Sequence, residues 1–206
     1  KTWSMKLRDG INFHDGTPLN TEAVSVNFLA QYGDPLVGLA VRPYYSADEP
    51  ITIVDDLNMN FNLTDANCNW PSALTGQLGA IGSPTWIAAA QDDPTLDQQP
   101  VGTGPFIFES RVQDQVTRFV KNANYWGGDV YLDAVEFYPV TDGDIRTSLL
   151  LEGELDAQAT TNVESIASLA ENDSITQVLD DTGDESFLML NSSKAPFDDI
   201  RARQAI

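Results

Sequence analysis

The sequence predicts a mixed α/β (α+β) fold, because strand and helix patterns are interspersed along the whole chain. Strands are indicated by alternating apolar residues, as in Trp3, Met5 and Leu7. Helices are indicated by a capping residue followed by apolar residues three or four apart, and turns by Asp-Gly pairs. The chain has 206 residues, which is enough for one or two domains with a buried core.

The first hundred residues are predicted to hold a strand, helices and a β-hairpin. After the opening strand, Asn20 is suited to cap a helix over residues 21–31. Apolar residues alternate on both sides of Asp55-Asp56, which predicts a hairpin. Two more helices are expected to begin at prolines that follow a capping residue, one at Asn69 with Pro71 and one at Ser83 with Pro84. The polar stretch of residues 92–100 is expected to cross between two lobes.

The second half is predicted to alternate between strands and helices. A hairpin turns at residues 113–115, and a third strand covers 134–140. Asp142 or Asp144 is predicted to cap a helix that Gly153 ends. The remaining predicted elements are a strand at 155–159, a helix opened by a Thr161–Glu164 capping box and ending near 171, a strand at 186–191, and a helix from Asp198 or Asp199 to the chain end.

The charge balance disfavours nucleic acids and anionic membranes as partners. Eleven Lys and Arg residues stand against 31 Asp and Glu residues, so the net charge is −20. Because the acids are spread along the chain, we interpret them as a solvated surface rather than a cation-binding site. Apolar runs are too short to span a bilayer. The single cysteine, Cys68, has no internal disulfide partner and is predicted to be a buried structural residue.

Several motifs carry both a chemical and a structural interpretation, and the structural one is favoured in each case. The glycines of residues 100–105 are followed by a proline and a strand, whereas a phosphate loop needs a helix there. His14-Asp15 lacks a positioned nucleophile. Tyr125-Trp126 is predicted to hold a loop against the core. Two groups of acidic residues are predicted to be exposed to solvent, namely Glu152, Glu154 and Asp156, and residues 180–185.

Five segments, in this order, resemble one protein family. They are Leu7-Arg8-Asp9-Gly10-Ile11-Asn12-Phe13-His14-Asp15-Gly16-Thr17-Pro18-Leu19, Pro100-Val101-Gly102-Thr103-Gly104-Pro105-Phe106, Asn122-Ala123-Asn124-Tyr125-Trp126-Gly127-Gly128, Leu151-Glu152-Gly153-Glu154-Leu155-Asp156, and the stretch from Lys194 to Ile206. Together they are similar to family 5 of the extracellular solute-binding proteins of ABC importers, the oligopeptide, dipeptide and nickel-binding group.

The resemblance implies a periplasmic binding protein-like fold, type II-like, of which this chain is expected to be an internal fragment. Members of the family have two lobes and an extra small domain, and a hinge closes the lobes around the ligand. By resemblance, residues 1–99 are part of the extra domain, 100–190 belong to lobe I, and 191–206 cross the hinge into lobe II. Since most of lobe II is expected to be missing, the fragment is expected to bind ligand weakly.

The function implied by the resemblance is capture of a small ligand, first of all an oligopeptide or dipeptide, for delivery to a membrane permease. Neither catalysis nor a cofactor or metal is implied. The expected protein is monomeric and periplasmic or extracellular, with a possible lipid anchor in a region absent from this chain. By position, Thr160, Thr161 and Asn162, together with Phe187 and Met189, correspond to residues that line the ligand cleft, although capping or core roles are equally open for them.

Two other functions stay open at this point. One is a hydrolase that uses acidic residues, which needs a carboxylate pair facing one cleft with one raised pKa. The other is a stand-alone interaction module. The last predicted helix stops at Ile206 without a C-cap, which disfavours the module and favours a longer protein.

Overall fold

A computed structural model of the protein describes residues 1–179 and 188–206. The chain divides into two compact units, residues 1–139 and 140–206. The first unit contains two three-stranded antiparallel sheets with helices, and the described part of the second unit contains helices joined by loops. The predicted mixed α/β class is therefore confirmed.

The first unit opens with the predicted strand, helix and hairpin. The elements are β1 (Thr2–Lys6), α1 (Thr21–Gly33), α2 (Val37–Val41), β2 (Ile51–Ile53) and β3 (Asn58–Asn62), with a short 3-10 helix at Arg42–Tyr44. Asn20 caps α1 as predicted, because its side chain accepts a hydrogen bond from the Ala23 amide. Gly10 and Gly16 have φ angles of 75° and 85°, which confirms the two Asp-Gly turns.

The first sheet has the strand order β1-β3-β2, and one of its faces is buried. Met59 and Phe61 on β3 point into the core and lie opposite Met5 and Trp3 of β1. The other face carries side chains that hydrogen-bond across the strands, such as Ser4 Oγ to Asn60 Oδ1 at 2.8 Å. This alternation of apolar and polar faces is what the sequence pattern predicted.

The core of the first unit is built around an aromatic cluster. Phe61 packs against Phe28 of α1 and against Trp70, with ring centroids 5.6 and 4.7 Å apart. Tyr45 joins the cluster, and its hydroxyl accepts a hydrogen bond from Trp70 Nε1 at 2.8 Å. Burial raises the pKa of the Tyr45 hydroxyl, although the bond from Trp70 opposes that shift.

Two predicted caps in this unit are wrong. The helix at Trp70–Thr75 is a 3-10 helix, and neither Asn69 nor Ser83 caps its helix through its side chain. The Ser83 hydroxyl contacts Asp15 instead. Helix α3 (Pro84–Asp92) still begins at its predicted proline, and a 3-10 helix at Pro94–Gln98 occupies the stretch predicted to cross between lobes.

The second sheet confirms the second predicted hairpin. It is formed by β4 (Phe106–Val112), β5 (Val116–Lys121) and β6 (Ala134–Phe137), in that order. The hairpin turns at Asp114, whose φ is 58°. Rings of Phe108, Phe119 and Phe137 form a row across one face. Strand β6 is three residues shorter than the predicted 134–140.

The second unit contains α4 (Gly143–Leu151), α5 (Val163–Ala170) and α6 (Ile200–Gln204). Asp142 and Asp199 cap α4 and α6 as predicted, and Gly153 has a φ of 77° just after α4. The predicted strand at 155–159 is absent. Residues 188–191 of the last predicted strand form no strand either, and residues 186–187 lie outside the described residues.

Cys68 is exposed, so its predicted burial is wrong. The segment from 64 to 69 runs along the surface before Trp70 enters the core. Residues 64–69 show no strand or helix periodicity, so the sequence alone did not indicate which of their side chains face the solvent.

Candidate functional site

The segment 101–105, itself part of one sequence motif, is joined to two other motifs through its backbone carbonyls. Each carbonyl from Val101 to Pro105 accepts a hydrogen bond from a residue distant in sequence. The donors are, in order, the Ser83 amide, the His14 amide, Trp126 Nε1, His14 Nε2 together with Asn122 Nδ2, and the Asn122 amide. Since the segment offers its carbonyl oxygens inward, it has no geometry for phosphate binding, and its structural interpretation is supported.

His14 and Asp15 do not form a catalytic pair. His14 Nε2 lies 3.0 Å from the Gly104 carbonyl oxygen, so this nitrogen carries the proton and donates it. Its Nδ1 is buried and has no hydrogen-bond partner among the described residues. Asp15 contacts hydroxyl groups on another segment, and the two side chains therefore act separately.

Asp15 fastens the start of α3 to the turn after β1. Its Oδ2 accepts hydrogen bonds from Ser83 Oγ at 2.5 Å and Thr85 Oγ1 at 2.7 Å, and its Oδ1 accepts from the Thr17 amide. Burial alone raises the pKa of this carboxyl, but the hydrogen bonds from Ser83, Thr85 and Thr17 outweigh burial and lower the pKa to about 2. A carboxylate held this firmly in its charged form is a structural group rather than a general acid.

The lowered pKa of Asp15 predicts a loss of stability in acid. The folded-state pKa of about 2 is below the reference value of 3.8, so the contribution to stability is present above pH 4 and disappears as the pH falls through about 2. The difference in free energy of unfolding between wild type and Asp15→Asn is therefore expected to shrink between pH 4 and pH 2. Urea unfolding of both proteins at a series of pH values measures this difference in free energy, and a difference that does not change with pH contradicts the prediction.

The predicted cleft residues at 160–162 lie in the loop that leads into α5. Asn162 is the cap of this helix, because its Oδ1 accepts a hydrogen bond from the Ser165 amide at 2.8 Å. The predicted cap was Thr161, which is exposed and makes no such bond. Thr160 is half-buried, and its hydroxyl accepts a hydrogen bond from the Asn162 amide. The side chains of Thr160 and Asn162 are thus engaged in hydrogen bonds that shape the start of α5.

Of the other two predicted cleft residues, the structure describes one, Met189. Met189 is 82% exposed in a loop, next to the exposed Leu188. Phe187 lies outside the described residues, as does the acidic stretch 180–185. An exposed methionine offers an adaptable apolar contact for a ligand.

Arg146 and Gln158 are polar residues of this unit that the sequence analysis missed. Arg146 lies in the first turn of α4 and donates through Nη1 to the Val140 carbonyl oxygen. Gln158 Nε2 donates to Thr147 Oγ1 at 3.4 Å. The buried atoms Arg146 Nε and Gln158 Oε1 have no partner among the described residues. The sequence did contain one signal for Arg146, which is that a basic residue lies within a predicted helix of a strongly acidic segment.

The remaining candidate groups assemble no reactive site in the described part of the chain. Glu152, Glu154 and Asp156 are all exposed, in agreement with the predicted solvated face. Among residues 1–179 and 188–206, no group of three His, Cys, Asp or Glu side chains is arranged to hold a metal ion. None of the helices described is long and apolar enough to cross a membrane.

A cavity of about 480 Å³ lies in the first unit, beside the Asn122–Gly128 motif. None of the four predicted cleft residues that the structure describes lines it. Trp126 nearby is held in place by its bond to the Thr103 carbonyl oxygen and by the Arg8 guanidinium, 4.7 Å from the ring centroid. This agrees with the predicted role of the motif, which is to pin a loop.

Sequence comparison gives a family match along the entire chain. A family model described as bacterial extracellular solute-binding proteins, family 5 middle, matches residues 1–206. The chain is 30% identical over 226 residues to heme-binding protein A of Haemophilus influenzae, covering 100% of this chain and 41% of that protein. It is 29% identical over 206 residues to the glutathione-binding protein GsiB of Pectobacterium atrosepticum, covering 100% and 40%. The chain thus spans about two fifths of the length of these curated relatives.

Structural comparison gives similar partial coverage. The dipeptide-binding protein of Pseudoalteromonas sp. SM9913 in complex with Met-Leu is 26% identical with a TM-score of 0.73, over 100% of this chain and 44% of that one. MoaA of A. tumefaciens R10 in complex with mannopinic acid is 25% identical with a TM-score of 0.79, over 99% and 41%. These similarities confirm the predicted periplasmic binding protein-like fold of type II, of which this chain covers less than half.

Proposed function

The chain belongs to the bacterial extracellular solute-binding proteins of family 5, and on this basis we propose that the full-length protein is the solute-binding component of an ABC importer. It captures a small ligand between two lobes and delivers it to a membrane permease. The observation that carries the proposal is the family match over all of residues 1–206. Binding of this kind needs no covalent chemistry, and the relatives are named as binding proteins.

The proposed ligand is a small molecule with at least one carboxylate, and an oligopeptide or dipeptide is the first candidate. The relatives are named for haem and glutathione, and the similar structures hold Met-Leu and mannopinic acid. These compounds differ in size and shape, but each bears a carboxylate. The similarity to the Met-Leu complex over the whole chain supports a peptide.

The proposed site of action is the periplasm or the extracellular face, with an ABC permease as partner and the protein as a monomer. Residues 1–99 are proposed to belong to the extra small domain, 100–190 to lobe I, and 191–206 to the hinge and the start of lobe II. The boundaries rest on the resemblance of the motifs to the family, and the match over the whole chain supports membership of that family. A lipid anchor, if present, belongs to a region outside this chain.

The proposed ligand contacts are Thr160, Thr161, Asn162 and Met189, together with Phe187. The exposure of Thr161 and Met189 supports them as contacts, since both are free to meet a ligand. Thr160 and Asn162 already make hydrogen bonds that shape the loop, so their proposed role is to position Thr161 as well as to face the ligand.

Titration of the full-length gene product with Met-Leu, glutathione, haem and mannopinic acid by calorimetry tests this proposal. We expect saturable one-to-one binding of Met-Leu. Thr161→Ala is expected to weaken it about 3- to 10-fold, because one hydroxyl hydrogen bond is lost. The Glu154→Gln/Asp156→Asn double variant is the control and is expected to leave affinity unchanged. Absence of binding by all four compounds contradicts the proposal, and hydrolysis that the double variant abolishes identifies a hydrolase instead.

A further inference from the structure

Three helices of the chain end on a carboxylate. Asp92 is the last residue of α3, and Glu152 and Glu171 are the residues that cap α4 and α5 at their C-terminal ends. All three residues are exposed, and none of these helices has a Lys or Arg in its last turn. The C-terminal end of a helix carries a partial negative charge from its free carbonyl groups, so each carboxylate lies where a cation is the stabilising group.

The basic residues of the chain do not compensate these charges. Within residues 1–179 and 188–206, no Lys or Arg nitrogen lies within 4 Å of the three carboxylates at the helix ends. Three of the arginines donate to backbone carbonyl oxygens instead, namely Arg42, Arg146 and Arg203. The negative ends of α3, α4 and α5 are therefore left to the solvent.

An excess of negative charge extends over the rest of the surface. The net charge is −20, and every Asp and Glu residue that the structure describes is exposed except the half-buried Asp34 and Asp199. Repulsion between like charges destabilises a compact chain, because unfolding moves the charges apart. Dissolved salt weakens this repulsion, since the distance over which exposed charges interact falls from about 30 Å at 0.01 M to about 3 Å at 1 M.

We propose that the fold depends on dissolved monovalent cations, which gather at the C-terminal ends of α3, α4 and α5 in place of basic side chains. The stability of the protein therefore rises with ionic strength, and the carboxylates at these helix ends contribute more to the rise than carboxylates elsewhere on the surface. The ions are hydrated and exchangeable, because the described residues offer no group of three side chains that could hold a metal. This dependence on salt involves no ligand and is independent of the proposed function.

Two of the helices contain a matched control for this proposal. In α5, Glu164 lies in the first turn and Glu171 at the C-terminal end, and in α4 the corresponding residues are Asp144 and Glu152. All four residues are exposed, and replacing any one of them by lysine changes the net charge by the same amount. The partial charge of the helix is positive at the first position and negative at the second, so only the C-terminal replacement is expected to relieve repulsion by the helix.

Urea unfolding of the full-length gene product at about 0.01 M and about 1 M NaCl, followed by circular dichroism, tests the proposal. Urea is uncharged and leaves the ionic strength unchanged. The wild-type midpoint is expected to rise by about 0.5 M urea or more at the higher salt concentration. At the lower one, Glu171→Lys is expected to raise the midpoint by about 0.2–0.5 M, whereas Glu164→Lys is expected to leave it unchanged or lower it. The difference between the two variants is expected to shrink about twofold or more in the higher salt, because salt screens the charge of the helix end.

Two results overturn the proposal. One is a wild-type midpoint that is the same at both salt concentrations. The other is an equal midpoint for Glu171→Lys and Glu164→Lys at the lower salt concentration, because it indicates that the net charge alone matters and not the helix end. Asp144→Lys and Glu152→Lys repeat the comparison in α4, and Glu152→Lys is expected to have the higher midpoint. Ligand binding is not measured here, so a failure of the proposed function leaves this test unaffected.

Discussion

Replacing Phe61 by alanine is expected to lower the free energy of unfolding by about 3–5 kcal/mol. Phe61 is 1% exposed and lies on the inner face of β3. Its ring contacts Phe28 and Trp70, and Tyr45 lies 6.5 Å away between centroids. Alanine removes the centre of this cluster and leaves a cavity that three rigid rings have little freedom to fill.

Urea unfolding of the full-length protein, followed by tryptophan fluorescence, measures this effect. Trp3 and Trp70 pack directly around the Phe61 site, so their emission reports the transition of this unit. Tyr131→Ala is a suitable control because Tyr131 also carries a large ring but is 90% exposed. A loss for Phe61→Ala no greater than that of the control contradicts the proposed position of the core.

Asn27→Ala is expected to destabilise the protein by about 3 kcal/mol, because it leaves the half-buried N–H and C=O groups of Gly82 without their partner. Asn27 is 5% exposed on α1. Its Oδ1 accepts from the Gly82 amide at 2.8 Å, and its Nδ2 donates to the carbonyl oxygens of Gly82 and Ala23 at 2.7 and 2.8 Å. One amide side chain thus satisfies both backbone groups of Gly82 just before α3 begins.

The matched control for Asn27→Ala is Asn124→Ala. Asn124 is exposed, so its replacement is expected to change the free energy of unfolding by less than about 0.5 kcal/mol. Denaturant midpoints and slopes of the two variants provide the comparison. Similar small losses in both variants contradict a supporting role for Asn27 under α3, and a changed slope points to an altered unfolded or native state.

The elements that could be predicted from the sequence are those specified by nearby residues. Asn20, Asp142 and Asp199 each cap a helix through a bond to an amide two or three residues ahead. The hairpin of β2 and β3 follows from the alternation of apolar residues on both sides of Asp55-Asp56. Such signals survive in the fold because no distant partner is needed to satisfy them.

The wrong predictions concern features that depend on distant partners, or on which of two adjacent residues caps a helix. Residues 155–159 carry a strand-like pattern, but no described strand lies beside them to complete the hydrogen bonds. Ser83 is a good capping residue, yet its hydroxyl bonds to Asp15, which is 68 residues away. At the start of α5, Thr161 and Asn162 are both capping residues, and the sequence did not decide between them.

The candidate site was predicted only by position within a family pattern. Thr161 and Met189 stay predictions of this kind, because they were chosen by their distance along the chain from Asp156 and from the segment that begins at Lys194. The contact of Arg146 was not predicted, because it depends on where the Val140 carbonyl oxygen lies in the fold, which sequence spacing does not reveal.

The five bonded carbonyls at 101–105 have an evolutionary consequence. The partners of this segment recognise backbone oxygens, so they constrain the number of residues between Val101 and Pro105 more strongly than the side chains there. A methyl group at Gly104 would meet no atom within 4 Å, and one at Gly102 would only touch the Ile81 carbonyl oxygen at 4.0 Å. Substitution to alanine is therefore sterically open at both glycines, whereas a single insertion or deletion would move the following carbonyls away from the donors that meet them.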